Sequence, residues 1–313
     1  MKQLVIRAFG DADQLALVEA KSPTLATNEV RVKMHYAGVN PVDAKTRAGL
    51  GWGAAAIKDD LPWSPGLELM GTVLESGAEV SIHQAGDRVF GLLSGGCYSE
   101  EVVAPANALV AVPSSVNDEV AAGLALAGTT AWQGLTVHGN LAAGERVLIS
   151  AAAGGVGHLA VQLAKDLGAT VVALASPNNH EFLKELGADE VVDYHDRDQV
   201  RAIAPVDLLL DLVGGESGCQ LLSVVKPGGR VITVPTITAD EVIAAAKAAG
   251  LEARGMLKDN DTQQLAMLIK AVAEQRLTVK ISQVYPLAQG AAAHRQIETG
   301  HTRGKLLLQG ATD

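Results

Sequence analysis

Short apolar segments dominate the first third of the chain, separated by glycine, proline and asparagine. This pattern is typical of short strands joined by tight turns. We therefore predict a β-rich region with strands VRVKMHYAGV from Val30, GTVLES from Gly71, EVSI from Glu79, DRVFG from Asp87 and EEVVAP from Glu100.

From Val120 onward, apolar runs alternate with stretches of helical periodicity. The apolar runs predict buried strands at residues 145–150, 170–175, 190–193, 207–212 and 230–234. The stretches between them predict helices that include residues 157–167, 180–186, 217–225 and 239–249. Three of the helices are expected to stop at Gly168, Gly187 and Gly250, because glycine adopts a left-handed cap at the least cost.

Strands that alternate with helices of this length indicate crossover connections and a parallel sheet. Beyond Asp261, one more helix, a segment KISQVYPL, a helix near 291–298 and a strand 305–308 suggest mixed α+β structure. We predict an α/β fold in which a doubly wound parallel Rossmann sheet is inserted in a β-rich domain. The β-rich domain comprises residues 1–118 and 262–313, and the Rossmann domain comprises residues 119–261.

Composition and charge limit the classes of protein to which this chain can belong. The 313 residues are 48% hydrophobic and 19% charged, which is typical of a globular chain with a sizeable core. The net charge of −10 disfavours a nucleic-acid partner, because no basic field attracts phosphates. Two cysteines, Cys97 and Cys219, favour a reduced cytoplasmic compartment over a disulfide framework. Glycine and polar residues interrupt the mildly apolar stretch 120–137, so we expect no membrane association.

A small-residue cluster follows the first predicted strand of the α/β region. Its pattern is Ala152-x-Gly154-x-x-Gly157, with Gly155 and Val156 between the two glycines of the motif. Gly154 lets the backbone approach a pyrophosphate, Gly157 lets the helix pack close to its strand, and the helix N-terminus offers free N–H groups. The position between a strand and a helix favours dinucleotide binding; the alternative is a tight βα turn without a ligand.

The second predicted strand ends in LASPNNH, without the acid that usually binds the ribose 2′-hydroxyl of NAD. Ser176, Asn178 and Asn179 could instead donate hydrogen bonds to a 2′-phosphate. This favours NADP(H), although no Arg or Lys is adjacent. The missing acid also disfavours an S-adenosylmethionine methyltransferase. A short-chain dehydrogenase is excluded, because no tyrosine has a lysine four residues later.

Motifs along nearly the whole chain resemble those of the medium-chain dehydrogenase/reductase superfamily, and most closely its zinc-free, zeta-crystallin-like quinone oxidoreductase branch. They are AGVNPVDAKTRAG from Ala37, PGLELMGTVLESG from Pro65, AGDRVFG from Ala85, GCYSEEVVAPANALVAVP from Gly96, LALAGTTAWQGL from Leu124, AAAGGVG from Ala151, LGADEVVDY from Leu186, KPGGRVI from Lys226 and GKLLL from Gly304. The resemblance implies a GroES-like catalytic domain built from both ends of the chain.

The resemblance also implies a test for zinc. Asn40 and Leu67 stand at the positions where the zinc-dependent relatives have cysteine and histidine, and neither is a normal zinc ligand. The relatives' four-cysteine structural lobe is absent, since this region contains only Cys97. We therefore predict that the protein binds no metal.

Without a Lewis acid, an isolated carbonyl is difficult to reduce. A quinone or an enone is easier, because the charge spreads to an oxygen that modest hydrogen bonds can hold. The resemblance places Asn40 near the nicotinamide, where its amide could donate to that oxygen. The alternative is that Asn40 only caps the turn before Pro41.

Further cofactor contacts are implied by the resemblance. Thr129 matches a position near the nicotinamide ribose; otherwise its hydroxyl bonds its own helix. Tyr194 matches a tyrosine near the adenosine phosphate, and Asn179 replaces a lysine found in some relatives. Val213 and Val234 follow later strands and are expected to lie over the cofactor.

The last predicted contacts lie outside the α/β region. Gly304 and Lys305 match a late cofactor contact; the alternative for Lys305 is a solvated charge at the start of a strand. Trp52 and Trp63 line an apolar substrate pocket or pack in the core.

The sequence thus predicts an NADPH-dependent oxidoreductase acting on a small electrophilic substrate, a quinone or an α,β-unsaturated carbonyl. The alternative is an NADP(H)-binding protein without turnover, in a structural or sensing role. A zinc alcohol dehydrogenase would require bound metal. The segments 230–234 and 251–257 are compatible with a homodimer formed through the sheet edge.

Overall fold

The computed structural model describes residues 1–311, in two compact units. Unit 1 contains Met1–Leu126 and the residues from Asn260 onward, and unit 2 is Ala127–Asp259. The strands are β1 Lys2–Ile6, β2 Leu15–Glu19, β3 Glu29–Val39, β4 Glu68–Ser76, β5 Arg88–Leu92, β6 Glu101–Pro105, β7 Leu109–Ala111, β8 Arg146–Ile149, β9 Thr170–Leu174, β10 Glu190–Val192, β11 Val206–Asp211, β12 Val225–Thr233, β13 Glu252–Gly255, β14 Ile281–Pro286 and β15 Lys305–Gln309.

The helices complete the element order. They are α1 Pro41–Arg47, α2 Gly51–Ile57, α3 Asp118–Ala122, α4 Ala125–Gln133, α5 Gly157–Asp166, α6 His180–Glu185, α7 Arg197–Arg201, α8 Gly215–Leu221, α9 Ala239–Ala248, α10 Thr262–Ala273 and α11 Gly290–Glu298. A π-helical turn, Gly134–His138, follows α4, and short 3₁₀ turns occur at Ala12–Gln14, Ala106–Ala108, Pro177–Asn179, Leu222–Val224 and Leu287–Gln289.

Unit 1 is built on a mixed sheet in the order β14-β15-β3-β4-β5-β7, with β6 also paired to β3. All of these pairs are antiparallel except β14 with β15. Side chains along β3 alternate between buried and partly exposed, as expected for a strand with one face on a core. That core includes Val30, Val32 and Met34. The β-rich first third predicted from the sequence is therefore observed.

Unit 2 contains a six-stranded sheet in the order β10-β9-β8-β11-β12-β13, and every neighbouring pair is parallel. Counted along the chain, this is the order 3-2-1-4-5-6 of the doubly wound dinucleotide-binding fold. The inner strands read as nearly continuous apolar runs because both of their faces are covered. The predicted parallel Rossmann sheet is confirmed.

The glycines predicted to end helices do adopt the left-handed conformation. Their φ angles are 80° at Gly168, 98° at Gly187 and 75° at Gly250. Each follows a helix of unit 2 within a few residues. The caps were predictable from sequence because glycine pays no Cβ penalty there.

Two predicted elements are wrong in detail. The segment EVSI forms a turn instead of a strand: Val80 N donates to Gly77 O at 3.0 Å, and Ile82 is 61% exposed. The helix predicted at 217–225 is α-helical only to Leu221 and continues as the 3₁₀ turn Leu222–Val224. Val225 already belongs to β12, where it pairs with Val206 of β11. The predicted domain boundary at 118/119 falls at the start of α3, within unit 1.

Elements missed by the sequence analysis are mostly short. They include the β1–β2 hairpin, the helices α1, α2 and α7 of five to seven residues, and the edge strand β13. Helices of that length show too few turns for periodicity to identify them. Within residues 1–311, no helix combines the length and the apolar character that a membrane crossing requires.

Candidate functional site

The glycine-rich loop of unit 2 connects β8 to α5, and its two motif glycines have different structural roles. A Cβ at Gly157 would lie 2.4 Å from Ala151 O and 2.6 Å from Ala152 Cα, so the close approach of α5 to the loop requires glycine. A Cβ at Gly154 would meet only Ala151 O, at 3.2 Å. The fold itself therefore needs Gly157, whereas Gly154 leaves open space above the loop.

Backbone donors are available at this loop. No hydrogen bond within residues 1–311 uses the N–H groups of Gly155, Val156 or Gly157. They lie at the N-terminus of α5, a ten-residue helix whose dipole adds positive potential there. Free amides, positive potential and a missing Cβ fit a diphosphate group.

Thr129 is a second feature of unit 2 that fits a ligand. It lies in α4 and is completely buried, and its Oγ1 has no hydrogen-bond partner among the described residues. The hydroxyl is not bonded to its own helix, which was the alternative expected from sequence. A buried polar atom without a partner usually has an unseen one, such as a water or a ligand.

The residues expected near the adenosine end follow β9 and β10. Asn179 Nδ2 donates to Ser176 Oγ at 3.1 Å in the turn after β9. Tyr194 follows β10 and is 45% exposed, with its ring 4.0 Å from that of His195. Because Val192 pairs with Leu174 in parallel register, the segments after these two strands leave the same edge of the sheet.

One buried carboxylate organises the ends of three parallel strands. Asp211, at the end of β11, accepts hydrogen bonds from Ser150 Oγ at 3.2 Å and from Thr233 Oγ1 at 2.8 Å. Ser150 follows β8 and Thr233 ends β12. Asp211 also accepts from the backbone N–H groups of Val213 and Gly214, at 3.0 and 2.9 Å. The loop carrying Val213 is thereby fixed at the carboxyl edge of the sheet.

Both predicted valines lie at this edge. Val213 is 47% exposed, and Val234 is partly buried with its N–H donating to Asp211 O at 2.9 Å. Parallel α/β sheets bind ligands outside the carboxyl ends of their strands. Unit 2 therefore presents the glycine loop, the segments after β9 and β10, and the exposed side chain of Val213 along one edge of its sheet.

In unit 1, a buried polar cluster surrounds Asn40, the residue before α1. Asn40 Nδ2 donates to Glu68 Oε1 at 2.9 Å, and Lys305 Nζ donates to both Asn40 Oδ1 and Glu68 Oε1, the latter at 2.8 Å. Glu68 Oε2 accepts from Leu126 N at 2.7 Å. We name these three side chains, Asn40, Glu68 and Lys305, the amide triad.

The amide triad is almost completely removed from solvent, with Asn40 its most exposed member. Asn40 is 5% exposed, Lys305 2% and Glu68 0%. Gly38 makes room for it, since a Cβ at that position would lie 2.1 Å from Glu68 Oε1. Lys305 is thus a buried ion-pair member and not the solvated charge that was the alternative expected from sequence.

A second carboxyl group, Asp43 of α1, adjoins the triad. Its Oδ2 accepts from Asn40 N at 2.8 Å and from Tyr98 OH at 3.2 Å. Burial raises the pKa of Asp43 to about 7, against the opposing effect of the Asn40 hydrogen bond. Burial and the Asp43 charge hold the pKa of Tyr98 well above its usual range.

The remaining predicted residues have separate surroundings in unit 1. Trp52 lies on α2 and is 49% exposed, whereas Trp63 is partly buried against the unit 1 core. Gly304 has φ 74°, and a Cβ there would lie 2.2 Å from Lys280 O. The turn into β15 therefore requires glycine, and it places Lys305 at the start of the strand.

Side chains that could bind a metal are dispersed in the described part of the chain. Within residues 1–311, no three His, Cys, Asp or Glu side chains converge so that they could hold a metal ion. Leu67, at one expected zinc-ligand position, is a buried apolar residue. Burial raises the pKa of the Cys97 thiol well above its ordinary value, which disfavours the thiolate needed for metal binding.

Glu68, Asp43 and Asp211 were not predicted as site residues. A signal existed for Glu68 and Lys305: each is a charged residue directly before an apolar run, LM in β4 and LLL in β15, and the two charges are opposite. Buried charges of this kind are usually paired. For Asp211 the signal was weaker, because an acid at a strand end is also common in exposed turns.

The parallel sheet order and the glycine loop define unit 2 as a doubly wound domain of the dinucleotide-binding type. Two family models match the chain. The model described as "Alcohol dehydrogenase GroES-like domain" matches residues 26–114, and the model described as "Zinc-binding dehydrogenase" matches residues 186–308. The chain belongs to the medium-chain dehydrogenase/reductase superfamily, within its quinone oxidoreductase branch, and is an NAD(P)H-dependent oxidoreductase of that family.

Individual relatives support this assignment. A chloroplastic quinone-oxidoreductase homolog of Spinacia oleracea is 34% identical, over 96% of this chain and 95% of its own length. The structure of the quinone oxidoreductase from Coxiella burnetii is 40% identical with a TM-score of 0.96, covering 99% of both chains. The Escherichia coli quinone oxidoreductase complexed with NADPH is 25% identical with a TM-score of 0.90, covering 99% of this chain and 100% of its own.

Proposed function

We propose that the protein is a zinc-independent, NADPH-dependent reductase of quinones or α,β-unsaturated carbonyl compounds. Two features carry the proposal: the glycine loop of unit 2, with its free backbone donors, and the buried amide triad of unit 1. By resemblance, Asn40 of the triad stands where zinc-dependent relatives have a metal ligand. The first supplies a cofactor site, and the second supplies a hydrogen-bond donor in place of a Lewis acid.

Cofactor binding is assigned to the residues of unit 2. The N–H groups of Gly155, Val156 and Gly157 bind the diphosphate, above Ala152 and Gly154. The unpartnered hydroxyl of Thr129 binds the nicotinamide ribose. Val213 and Val234 pack against the cofactor from the carboxyl edge of the sheet. The Escherichia coli quinone oxidoreductase, a relative whose structure is a complex with NADPH, supports a nicotinamide nucleotide as the cofactor.

The preference for NADPH rests on the turn after β9. Residues 175–180 contain no Asp or Glu, so a 2′-phosphate meets no like charge in that segment. Ser176 and Asn179 donate to this phosphate, and Tyr194 packs beside it. Because neither donor is charged, the preference over NADH is expected to be moderate.

The chemistry assigned to unit 1 needs an electron-poor acceptor. The reduced nicotinamide, when bound, supplies a hydride. Asn40 donates a hydrogen bond to the acceptor oxygen, on which negative charge develops. Trp52 covers the apolar part of the acceptor, and Trp63, packed on the core of unit 1, lines the same apolar pocket. No side chain is assigned as the proton donor, so water supplies the proton.

The experiment follows NADPH absorbance at 340 nm with a panel of quinones, enones, simple ketones and alcohols. Enzyme treated with a chelator and then dialysed is expected to reduce quinones or enones at the untreated rate, and to leave simple ketones unchanged. Tight NADPH binding without oxidation across the panel would instead favour a binding role without turnover. Activity that appears only after zinc is added would overturn the proposal.

A further inference from the structure

The ion pair inside unit 1 is the feature with the least obvious purpose. Glu68 and Lys305 are 0% and 2% exposed, so both charges lose their hydration on folding. Burying such a pair costs about as much as the attraction returns, and apolar residues of equal volume often stabilise a protein as well. The pair is therefore better explained by what it does to its neighbour, Asn40.

The pair fixes the orientation of the Asn40 amide. Lys305 donates to Asn40 Oδ1, while Glu68 Oε1 accepts from Asn40 Nδ2 at 2.9 Å. A flipped amide would place its NH₂ group against the Lys305 ammonium and its oxygen against the Glu68 carboxylate. Both contacts would be repulsive, so only one orientation is stable.

In that orientation, one N–H of the Asn40 amide makes only a long, weak hydrogen bond. The Asn40 NH₂ group has two hydrogens, and one is used by Glu68. Its other contact, with Gly38 O, is 3.5 Å long, at the outer limit of hydrogen bonding. The second hydrogen can therefore be given to a ligand at little cost.

The ammonium also strengthens this donor. A cation bonded to an amide oxygen draws electron density from the nitrogen, and charge-assisted hydrogen bonds are roughly twice as strong as neutral ones. Glu68 balances the charge of Lys305. Its other oxygen accepts from Leu126 N at 2.7 Å, and this hydrogen bond helps to hold the carboxylate beside Asn40 and Lys305.

We propose that Glu68 and Lys305 are positioning residues that orient and polarise the Asn40 amide, so that its second N–H stabilises the negative oxygen of the reduced acceptor. This inference rests on the proposed function. For an enone, the β-carbon receives the hydride and the π electrons move to the carbonyl oxygen as an enolate. Asn40 holds that oxygen, and water then protonates the enolate and leaves hydroxide.

The test uses 4-nitrophenol as an absorbing analogue of the enolate, bound to the enzyme with NADP⁺. Wild type is expected to bind the phenolate in preference to the phenol, and so to lower the apparent pKa of the bound dye. The double variant Glu68→Gln/Lys305→Met removes both charges and avoids leaving one buried charge unpaired. It should abolish the preference, while Lys165→Met, which breaks the exposed pair with Asp189, should preserve it.

Kinetics provide a second readout. In the double variant, kcat should fall about 10-fold or more with an enone and less with a strongly oxidising quinone, because the quinone needs less help with its charge. The Kd for NADPH should change less than threefold.

Three outcomes would overturn the inference. One is an unchanged dye preference in the double variant. The second is a large rise in the Kd for NADPH with kcat unaffected, which would make Lys305 a cofactor contact. The third is an equal loss of kcat for enones and quinones. Failure of the proposed function is distinguishable, because wild type itself would then oxidise no NADPH with any acceptor.

Discussion

At the scale of single residues, the chemistry of unit 1 depends on polar side chains that are removed from water. Asp43, Glu68 and Lys305 lie among strands and helices that the sequence identifies mainly by their apolar residues. Asn40 was predicted as a functional residue through its motif. Asp43 is only three residues from Asn40, but Glu68 and Lys305 are distant in sequence, and no local pattern brings residues 40, 68 and 305 together. Their contacts follow from strand pairing, which sequence alone does not specify.

Asp43 should make stability fall as pH rises. The pKa of Asp43 is raised from 3.8 to about 7 in the folded protein, so between these values the folded state keeps a proton that the unfolded chain releases. The stabilising contribution of Asp43 is therefore fully present below about pH 4, and it is lost progressively as the pH rises to about 7. Asp43→Asn should become progressively more stable relative to wild type over this range, as measured by urea unfolding. A stability difference that does not vary with pH would contradict the assignment.

His294 should make stability fall as pH falls, which is the opposite of the effect expected for Asp43. It is completely buried, neither ring nitrogen has a partner among the described residues, and burial together with Arg47 lowers the pKa of His294 from 6.5 to about 3. Below pH 6.5 the unfolded chain binds a proton at His294, whereas the folded protein does not, so stability is lost as pH falls. His294→Leu should gain stability relative to wild type from pH 6.5 down to pH 4. Equal acid sensitivity of the two proteins would show that His294 is not buried in its neutral form.

At the scale of elements, the parallel strands, their helices and the glycine caps of unit 2 could be predicted because each pattern has one dominant physical cause. Strands buried on both faces must be apolar, and left-handed caps favour glycine. EVSI was predicted wrongly because alternation alone does not guarantee a pairing partner. Strand β13 was missed because an exposed edge strand has no buried face to mark it.

The two motif glycines should respond differently to alanine. Gly157→Ala forces a Cβ against Ala151 O and Ala152 Cα, and should cost about 1–3 kcal/mol in the free energy of unfolding. Gly154→Ala should fold with a stability within about 1 kcal/mol of wild type, since its Cβ meets one atom at 3.2 Å. Its Kd for NADPH should rise about tenfold or more, because the methyl group occupies the diphosphate position.

Thermal unfolding and fluorescence titration with NADPH separate these effects, each variant serving as the other's control. If Gly154→Ala bound NADPH as tightly as wild type, the diphosphate would not lie against this loop. If it unfolded as easily as Gly157→Ala, the loop would have a purely structural role.

At the scale of the whole molecule, the two-part organisation was predicted from the change in pattern along the chain, and unit 1 does contain both ends of the described chain.

The edge of the sheet in unit 2 has an exposed apolar neighbour. In unit 2 the sheet ends at β13, and Leu257, just beyond it, is 61% exposed. Exposed sheet edges with apolar neighbours are sites where a second chain can add.

We expect a homodimer through this edge. Light scattering should give about twice the 32.3 kDa of one chain for wild type. Leu257→Glu places a charge beside the edge and should yield monomers with an unchanged circular dichroism spectrum. A monomeric wild type would contradict this expectation. A dimer unaffected by the substitution would place the interface elsewhere.

Metal-free hydride transfer from NADPH to an electron-poor carbon is the step on which the proposed function depends. It is tested most directly by mass spectrometry of the product formed from an enone and [4,4-²H₂]NADPH by chelator-treated enzyme. We predict one deuterium at the β-carbon of the saturated product, in the same yield as with untreated enzyme. A product without deuterium, or deuterium transfer that requires added zinc, would contradict the proposed function.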